Sequence, residues 1–134
     1  MNFHGVLPMK YGLALLFSLI TTFAMAKDYP NYGSALIASK ADGKPVVVAF
    51  TASWCGPCRS MKANVFADAA VQKELADNFH FYLMDTDEEK GLARKFGISS
   101  LPTVKVIDAN EKVLATGSVM SKNQFLGWLA KYKK

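Results

Sequence analysis

Apolar and polar positions follow two different periods along this chain, and the switches between them mark its elements. Val46-Val47-Val48-Ala49-Phe50 is a continuous apolar run after Pro45, the pattern of a strand buried on both faces. Upstream, Tyr32 to Ala41 carries small and apolar residues at helical spacing, and Asp42-Gly43-Lys44-Pro45 ends that stretch with turn chemistry. Downstream, Arg59-Ser60-Met61-Lys62-Ala63-Asn64-Val65-Phe66 has no breaker and predicts an uninterrupted helix. Ala67-Asp68 offers a break and an N-cap, after which Val71, Leu75 and Phe79 recur at intervals of four, the spacing of a second helical segment.

Phe79 to Asp85 reads as a strand, and Thr86-Asp87-Glu88-Glu89 fits a capping box opening a helix that stops at Phe96-Gly97. Thr103 to Ile107 has strand character, Asp108 to Glu111 is a turn, and Lys112 to Thr116 is the return strand of a hairpin. A second capping box, Ser121 to Gln124, opens a terminal helix with Phe125, Trp128, Leu129 and Tyr132 on one face. Early strands joined through helices are expected to be parallel, and the late hairpin is antiparallel by construction. The pattern therefore predicts an α/β fold: a mixed central sheet with helices on both faces.

The first 26 residues stand outside that pattern. Tyr11 to Ala26 is a run of 16 residues without a charge, preceded by Lys10 and ending in Ala24-Met25-Ala26. A basic start, an apolar middle and a small-x-small end are the marks of a secretory signal peptide. A spanning helix needs roughly 20 apolar residues, so the run is short for an anchor. The expected organisation is a cleaved signal peptide over residues 1–26 and one domain over 27–134, with Met1 or Met9 as initiator.

Composition narrows the class further. The chain has 134 residues, 51% of them hydrophobic, enough for one ordinary core. Without residues 1–26 the charges are 15 basic against 11 acidic, a balance of +4. The lysines are scattered apart from Lys131-Tyr132-Lys133-Lys134, where cations suit the end of a helix. A basic stripe with interleaved aromatics is missing, which argues against a nucleic-acid partner.

The only two cysteines lie in Trp54-Cys55-Gly56-Pro57-Cys58, between the first strand and a helix. A pair at this spacing closes and reopens a small disulfide ring, and so carries two electrons. Cys55 falls just before a helix N-terminus, where partial positive charge favours the thiolate that attacks disulfides. As a static cross-link the bond would close a loop too short to restrain much chain entropy, so the residues favour a redox role. A zinc site would need about four ligands. Two cysteines and the distant His80 do not supply them, and Asp85, Asp87, Glu88 and Glu89 suit a helix start. No metal is expected. His80, out of phase with Phe79 and Phe81, is expected to face solvent or a helix, and Trp128 to belong to the core.

With these residues in place the chain resembles the thioredoxin superfamily over essentially the whole of residues 27–134. Trp54-Cys55-Gly56-Pro57-Cys58, Phe96-Gly97-Ile98, Leu101-Pro102-Thr103 and the segment Gly117 to Leu129 carry the resemblance in order. Gly43-Lys44-Pro45 through Val71-Gln72-Lys73-Glu74-Leu75-Ala76 looks most like the periplasmic C-terminal domain of DsbD and its small secreted relatives. The resemblance implies a thioredoxin-like fold, with Cys55 as attacking thiolate and Cys58 as resolving thiol. It implies that Pro102 is cis and lies against the disulfide, leaving Leu101 as a backbone edge for a substrate strand. Trp54, Gly56 and Pro57 would shield the pair and offer an apolar surface to substrate.

Two positions depart from the family. Thioredoxins usually carry a buried aspartate six residues before the first cysteine, and here that position is Ala49. The DsbD domain has an acidic residue seven positions after it, and here that position is Lys62. Proton transfer at Cys58 is then left to water, to a residue remote in sequence, or to a partner. A solvated helix face is the expected place for Lys62.

The expected function is that of an exported, periplasmic or secreted thiol–disulfide oxidoreductase, monomeric and without a cofactor beyond the Cys55–Cys58 disulfide. It would reduce disulfide-containing substrate proteins, with a DsbD-like membrane thiol-reductant conduit as electron donor. A disulfide oxidase or isomerase, and a thioredoxin-fold binding or chaperone module without turnover, are the alternatives.

Overall fold

The computed structural model describes residues 24–134, so all but the last three residues of the predicted signal peptide lie outside the described residues. Helix α1, Tyr32–Asp42, starts where the Asn31 side chain accepts the Ser34 N–H at 2.8 Å. It ends at Gly43, whose φ of 78° is the left-handed turn a glycine makes without a Cβ clash. Strand β1, Val46–Thr51, follows and is buried along its whole length.

Strand β1 is central in the sheet. Strand β2, His80–Asp85, pairs with it in parallel, and β3, Thr103–Ile107, pairs with its other side antiparallel. Strand β4, Val113–Gly117, completes the hairpin, for a sheet order β2-β1-β3-β4. The sheet is mixed, as the hydrophobic pattern implies, with β1 and β2 as its parallel pair.

Alternation along β1 divides the core in two. Val47 and Ala49 point into a cluster with Met61, Phe66, Leu75, Phe125 and Leu129. Val46, Val48 and Phe50 point the other way, toward Tyr32, Tyr82, Met84 and Ile107. The first face is covered by α2 (Gly56–Met61), α3 (Ala69–Asn78) and α5 (Lys122–Ala130); the second by α1 and α4 (Lys90–Lys95). Among the described residues no helix is long and apolar enough to cross a membrane.

Several local expectations hold. The Asp68 carboxylate accepts the N–H groups of Ala70 and Val71 and caps α3. Ser121 and Gln124 form a reciprocal capping box at α5, and Gly97 has φ 63° just past α4.

Two expectations are corrected. The helix predicted from Arg59 through Phe66 is not uniform: α2 gives way to a π-helical turn over Lys62–Phe66, in which the Ala67 N–H reaches back to the Lys62 carbonyl at 3.0 Å. Widening this turn to a five-residue repeat lets both Val65 and Phe66 enter the core below Met61, while Lys62, Ala63 and Asn64 stay exposed. The capping box at Thr86 does not form. The Thr86 N–H and hydroxyl both donate to the Thr51 carbonyl, at 2.8 and 3.1 Å, extending the ladder past β1. Helix α4 therefore starts only at Lys90, without a side-chain cap, and Glu89 instead accepts the Tyr82 hydroxyl at 2.8 Å.

Candidate functional site

The site lies where β1 ends and α2 begins. The chain turns through Ala52-Ser53-Trp54, closed by the Cys55 N–H donating to the Ala52 carbonyl at 3.2 Å. Cys55 is the N-cap of α2, and its sulfur accepts the Cys58 N–H at 3.3 Å. Pro57 occupies the first turn, where its fixed φ suits the helix and its missing N–H costs no intrahelical bond. Cys55 and Cys58 form a disulfide across a Cα–Cα distance of 5.2 Å.

Both cysteines are buried, Cys58 more completely than Cys55. Cys58 is fully buried, whereas Cys55 is 4% exposed. Ala52 and the half-buried Leu101 pack against the pair. The Leu101–Pro102 peptide bond is cis, and Pro102 itself is buried. Trp54 is 68% exposed beside the pair, and its indole N–H donates to the Asp87 carboxylate at 2.8 Å. Gly56 and Pro57 form the exposed lip. A Cβ on Gly56 would meet only the Arg59 guanidinium, at 3.8 Å, so this glycine keeps the lip bare without being required by backbone geometry. The same guanidinium donates to the Ser53 carbonyl at 2.8 Å and holds the turn from outside.

All seven residues singled out from the sequence, Trp54, Cys55, Gly56, Pro57, Cys58, Leu101 and Pro102, lie on the α2 start or on the loop leading into β3. Leu101, remote in sequence, packs against the cluster formed by Ala52 and the two cysteines. Ala49 is fully buried in the core, level with Leu83 and Val104 of the neighbouring strands. Lys62 is exposed and lines a groove with Tyr29 and Phe81.

His80 faces the end of α1. One ring nitrogen lies 2.9 Å from both Asp42 carboxylate oxygens and the other is hydrogen-bonded to the Tyr29 hydroxyl, which ties the N-terminal lead to the sheet. Trp128 is half-buried and stacks on Phe125. Among the described residues no group of three or more His, Cys, Asp or Glu side chains is placed to hold a metal ion.

Three polar residues of the site escaped the sequence reading. Asp87 holds Trp54, the Thr103 hydroxyl donates to the Ser100 carbonyl at 2.7 Å, and the Ser118 hydroxyl donates to the Pro102 carbonyl at 3.1 Å. Thr103 directly follows Pro102 and was within reach of local reasoning. Asp87 and Ser118 join the site only through the tertiary fold.

A disulfide at a helix N-cap, beside a cis-proline loop and on a mixed sheet covered on both faces, defines a class that comparison bears out. The family model described as a thioredoxin-like domain matches residues 32–133, and the chain belongs to that family. It is similar to the chloroplastic thioredoxin M4 of Arabidopsis thaliana, 38% identical over 93 residues that make up 68% of this chain and 47% of that one. The chain thus spans about half the length of that relative. In structure it resembles the DsbH oxidoreductase, with a TM-score of 0.74 and 21% identity over 82% of this chain and 86% of that one. It also resembles the oxidised C-terminal domain of Neisseria meningitidis DsbD, with a TM-score of 0.66 and 24% identity over 82% of this chain and all of that one. At these identities the structural matches speak for the fold alone.

Proposed function

We propose that this chain is an exported thiol–disulfide oxidoreductase that reduces disulfides in other proteins outside the cytoplasm. The observation that carries the reading is the asymmetry of the Cys55–Cys58 pair: Cys55 caps the helix start and keeps 4% exposure, and Cys58 is fully buried one turn on. In the reduced protein the Cys58 N–H and the start of α2 favour the Cys55 thiolate. That thiolate attacks one sulfur of a substrate disulfide, forming a mixed disulfide and expelling the other sulfur as a thiolate. Cys58 then loses its proton and attacks the Cys55 sulfur, closing the ring and expelling the second substrate thiolate. Two electrons pass to the substrate and the protein is left oxidised. With alanine at position 49, the proton from Cys58 leaves by way of water, a residue remote in sequence or the partner.

Turnover needs a thiol donor to reduce the ring again, and a DsbD-like membrane conduit fits a reductase in an oxidising compartment. Export is supported by the uncharged run and by the small residues at 24 and 26, with the processed chain beginning at or near Lys27. Cleavage there gives up the hydrogen bond from the Ala26 N–H to the Gln72 side chain, at 2.9 Å.

The deciding experiment is trapping in the native compartment. Cys58→Ala should accumulate mixed disulfides and Cys55→Ala far fewer; equal trapping by both, or none by either, overturns the assignment. Equilibration against glutathione sets the direction. A potential near about −270 mV fits a reductase, and one near about −120 mV an oxidase.

A further inference from the structure

The residues on either side of the Ala26–Lys27 bond are anchored to different halves of the core. Ala26 packs against the cluster under α2, α3 and α5, and Tyr29 against the cluster under α1 and α4. The segment joining them passes β2, the edge strand of the sheet, beside Phe79, His80 and Phe81.

Polar contacts fix both anchors. The Ala26 N–H donates to the Gln72 side-chain oxygen at 2.9 Å, and the Gln72 side-chain nitrogen donates to the Phe66 carbonyl at 2.6 Å, at the end of the π-helical turn. On the other side the Tyr29 hydroxyl is hydrogen-bonded to His80, whose second ring nitrogen meets Asp42. Three residues span at most roughly 10 Å, so a chain tied at 26 and at 29 has little slack. Ala24 and Ala26 are half-buried, while Met25 between them is 68% exposed.

We propose that the folded domain masks its own processing junction: Gln72 and Tyr29 hold residues 24–29 so that Ala24 and Ala26 are turned onto the domain. Those are the small residues that a signal peptidase must admit before it can cut. The proposal rests on the export reading and deepens it with an order of events. Hydrolysis adds water across the Ala26–Lys27 peptide bond, leaving a carboxylate on Ala26 and an amine on Lys27. Chains are cut most readily at exposed, loosely held segments. A segment pinned at both ends is cut only through its transiently released state, at a rate set by how often that state is populated. The leader is therefore removed while the domain is unfolded, and a chain that folds first keeps it.

The test presents the folded full-length chain, in detergent micelles, to a bacterial signal peptidase. A peptide of residues 9–32 is the unfolded reference, and cleavage after Ala26 is counted by mass spectrometry. The folded chain should be cut at least about tenfold more slowly than the peptide. Gln72→Ala should raise the rate on the folded chain about fivefold, the size of one hydrogen bond. Tyr29→Phe should raise it in the same direction, and should leave the rate on the peptide unchanged. Amide hydrogen exchange separates local release from unfolding: in Gln72→Ala the Ala26 amide should lose protection while the β1 amides keep theirs. Equal rates for folded chain and peptide, or unchanged rates in both variants, overturn the proposal and leave the export reading standing. A peptide that is not cut after Ala26 removes the export reading, and the proposal with it.

Discussion

The indole N–H of Trp54 is hydrogen-bonded to the carboxylate of Asp87, which joins the turn before α2 to the loop after β2 beside the disulfide. Both partners are exposed, so the bond contributes little to global stability; its effect is to hold one orientation of a large ring that is otherwise free. Asp87→Ala should lower the stability by less than about 1 kcal/mol and lower the fluorescence anisotropy of Trp54. Reaction with protein disulfides should slow a few-fold, as the apolar surface beside Cys55 loses its preset orientation. An unchanged anisotropy in a Trp128→Phe background, where Trp54 is the sole emitter, would show that the bond does not restrain the ring.

Position 49 tests proton handling. Ala49 is fully buried at the centre of the sheet, so an acid placed there by Ala49→Asp has its charged form disfavoured and its pKa raised. A raised folded pKa means no penalty below the unfolded value, a growing penalty as pH rises past it, and a plateau above the folded value. The variant should melt below wild type at pH 8, with a smaller deficit at pH 5. If proton removal from Cys58 limits the resolving step, stopped-flow traces should show faster release of mixed disulfides near neutral pH. An unchanged rate in a folded variant would place the bottleneck elsewhere.

Space around Gly117 is tight. Gly117→Ala sets a methyl against Met120 and Trp128, and overpacking of this kind costs about 1 kcal/mol or more. Because the nearest atom is the flexible end of Met120, adding Met120→Ala should recover part of the loss. Urea denaturation of the two single variants and the double variant should give a coupling energy of opposite sign to the single losses. Strict additivity would mean that the contact is relieved some other way.

Acid stability should respond to the β3–β4 turn. The Lys95 ammonium, 2.6 Å from Glu111, and the Tyr32 hydroxyl at 3.0 Å hold the Glu111 carboxyl below the usual range, against the opposing effect of its partial burial. A lowered folded pKa contributes stability above the unfolded value, and that stability is lost as pH falls through the folded value. Glu111→Gln keeps an acceptor for Tyr32 and removes the charge. Its melting temperature should converge on that of wild type as the pH falls below about 4. A constant gap down to pH 2 would show that the carboxylate charge adds nothing.

What could be read from the sequence was local or strongly periodic. The apolar run of β1 is continuous because both its faces are covered, and Asp68 and Ser121 cap their helices with bonds spanning two or three residues. The two cysteines declare themselves by spacing and neighbours. Thr86 misled for a physical reason: its hydroxyl had a choice between the next helix and the Thr51 carbonyl, and the strand neighbour won. The π-helical turn depends on the fit of Phe66 beneath Met61, a matter of side-chain volume that helical spacing does not carry. Asp87 and Ser118 reach the site across 33 and 16 residues, through hydrogen bonds that only the assembled sheet creates.

Burial of Cys58 has a consequence for survival in an oxidising medium. Cys55 keeps the little exposure the pair has, so a peroxide that oxidises the reduced protein would meet Cys55 first and leave a sulfenic acid there. The enclosed Cys58 thiol, one short turn away, condenses with that group and expels water, giving the ordinary disulfide. Damage at Cys55 would thus be returned to the working cycle before a second oxidant could carry it to the irreversible sulfinic stage. The enclosed thiol, besides resolving mixed disulfides as proposed, would act as a built-in antioxidant for its neighbour.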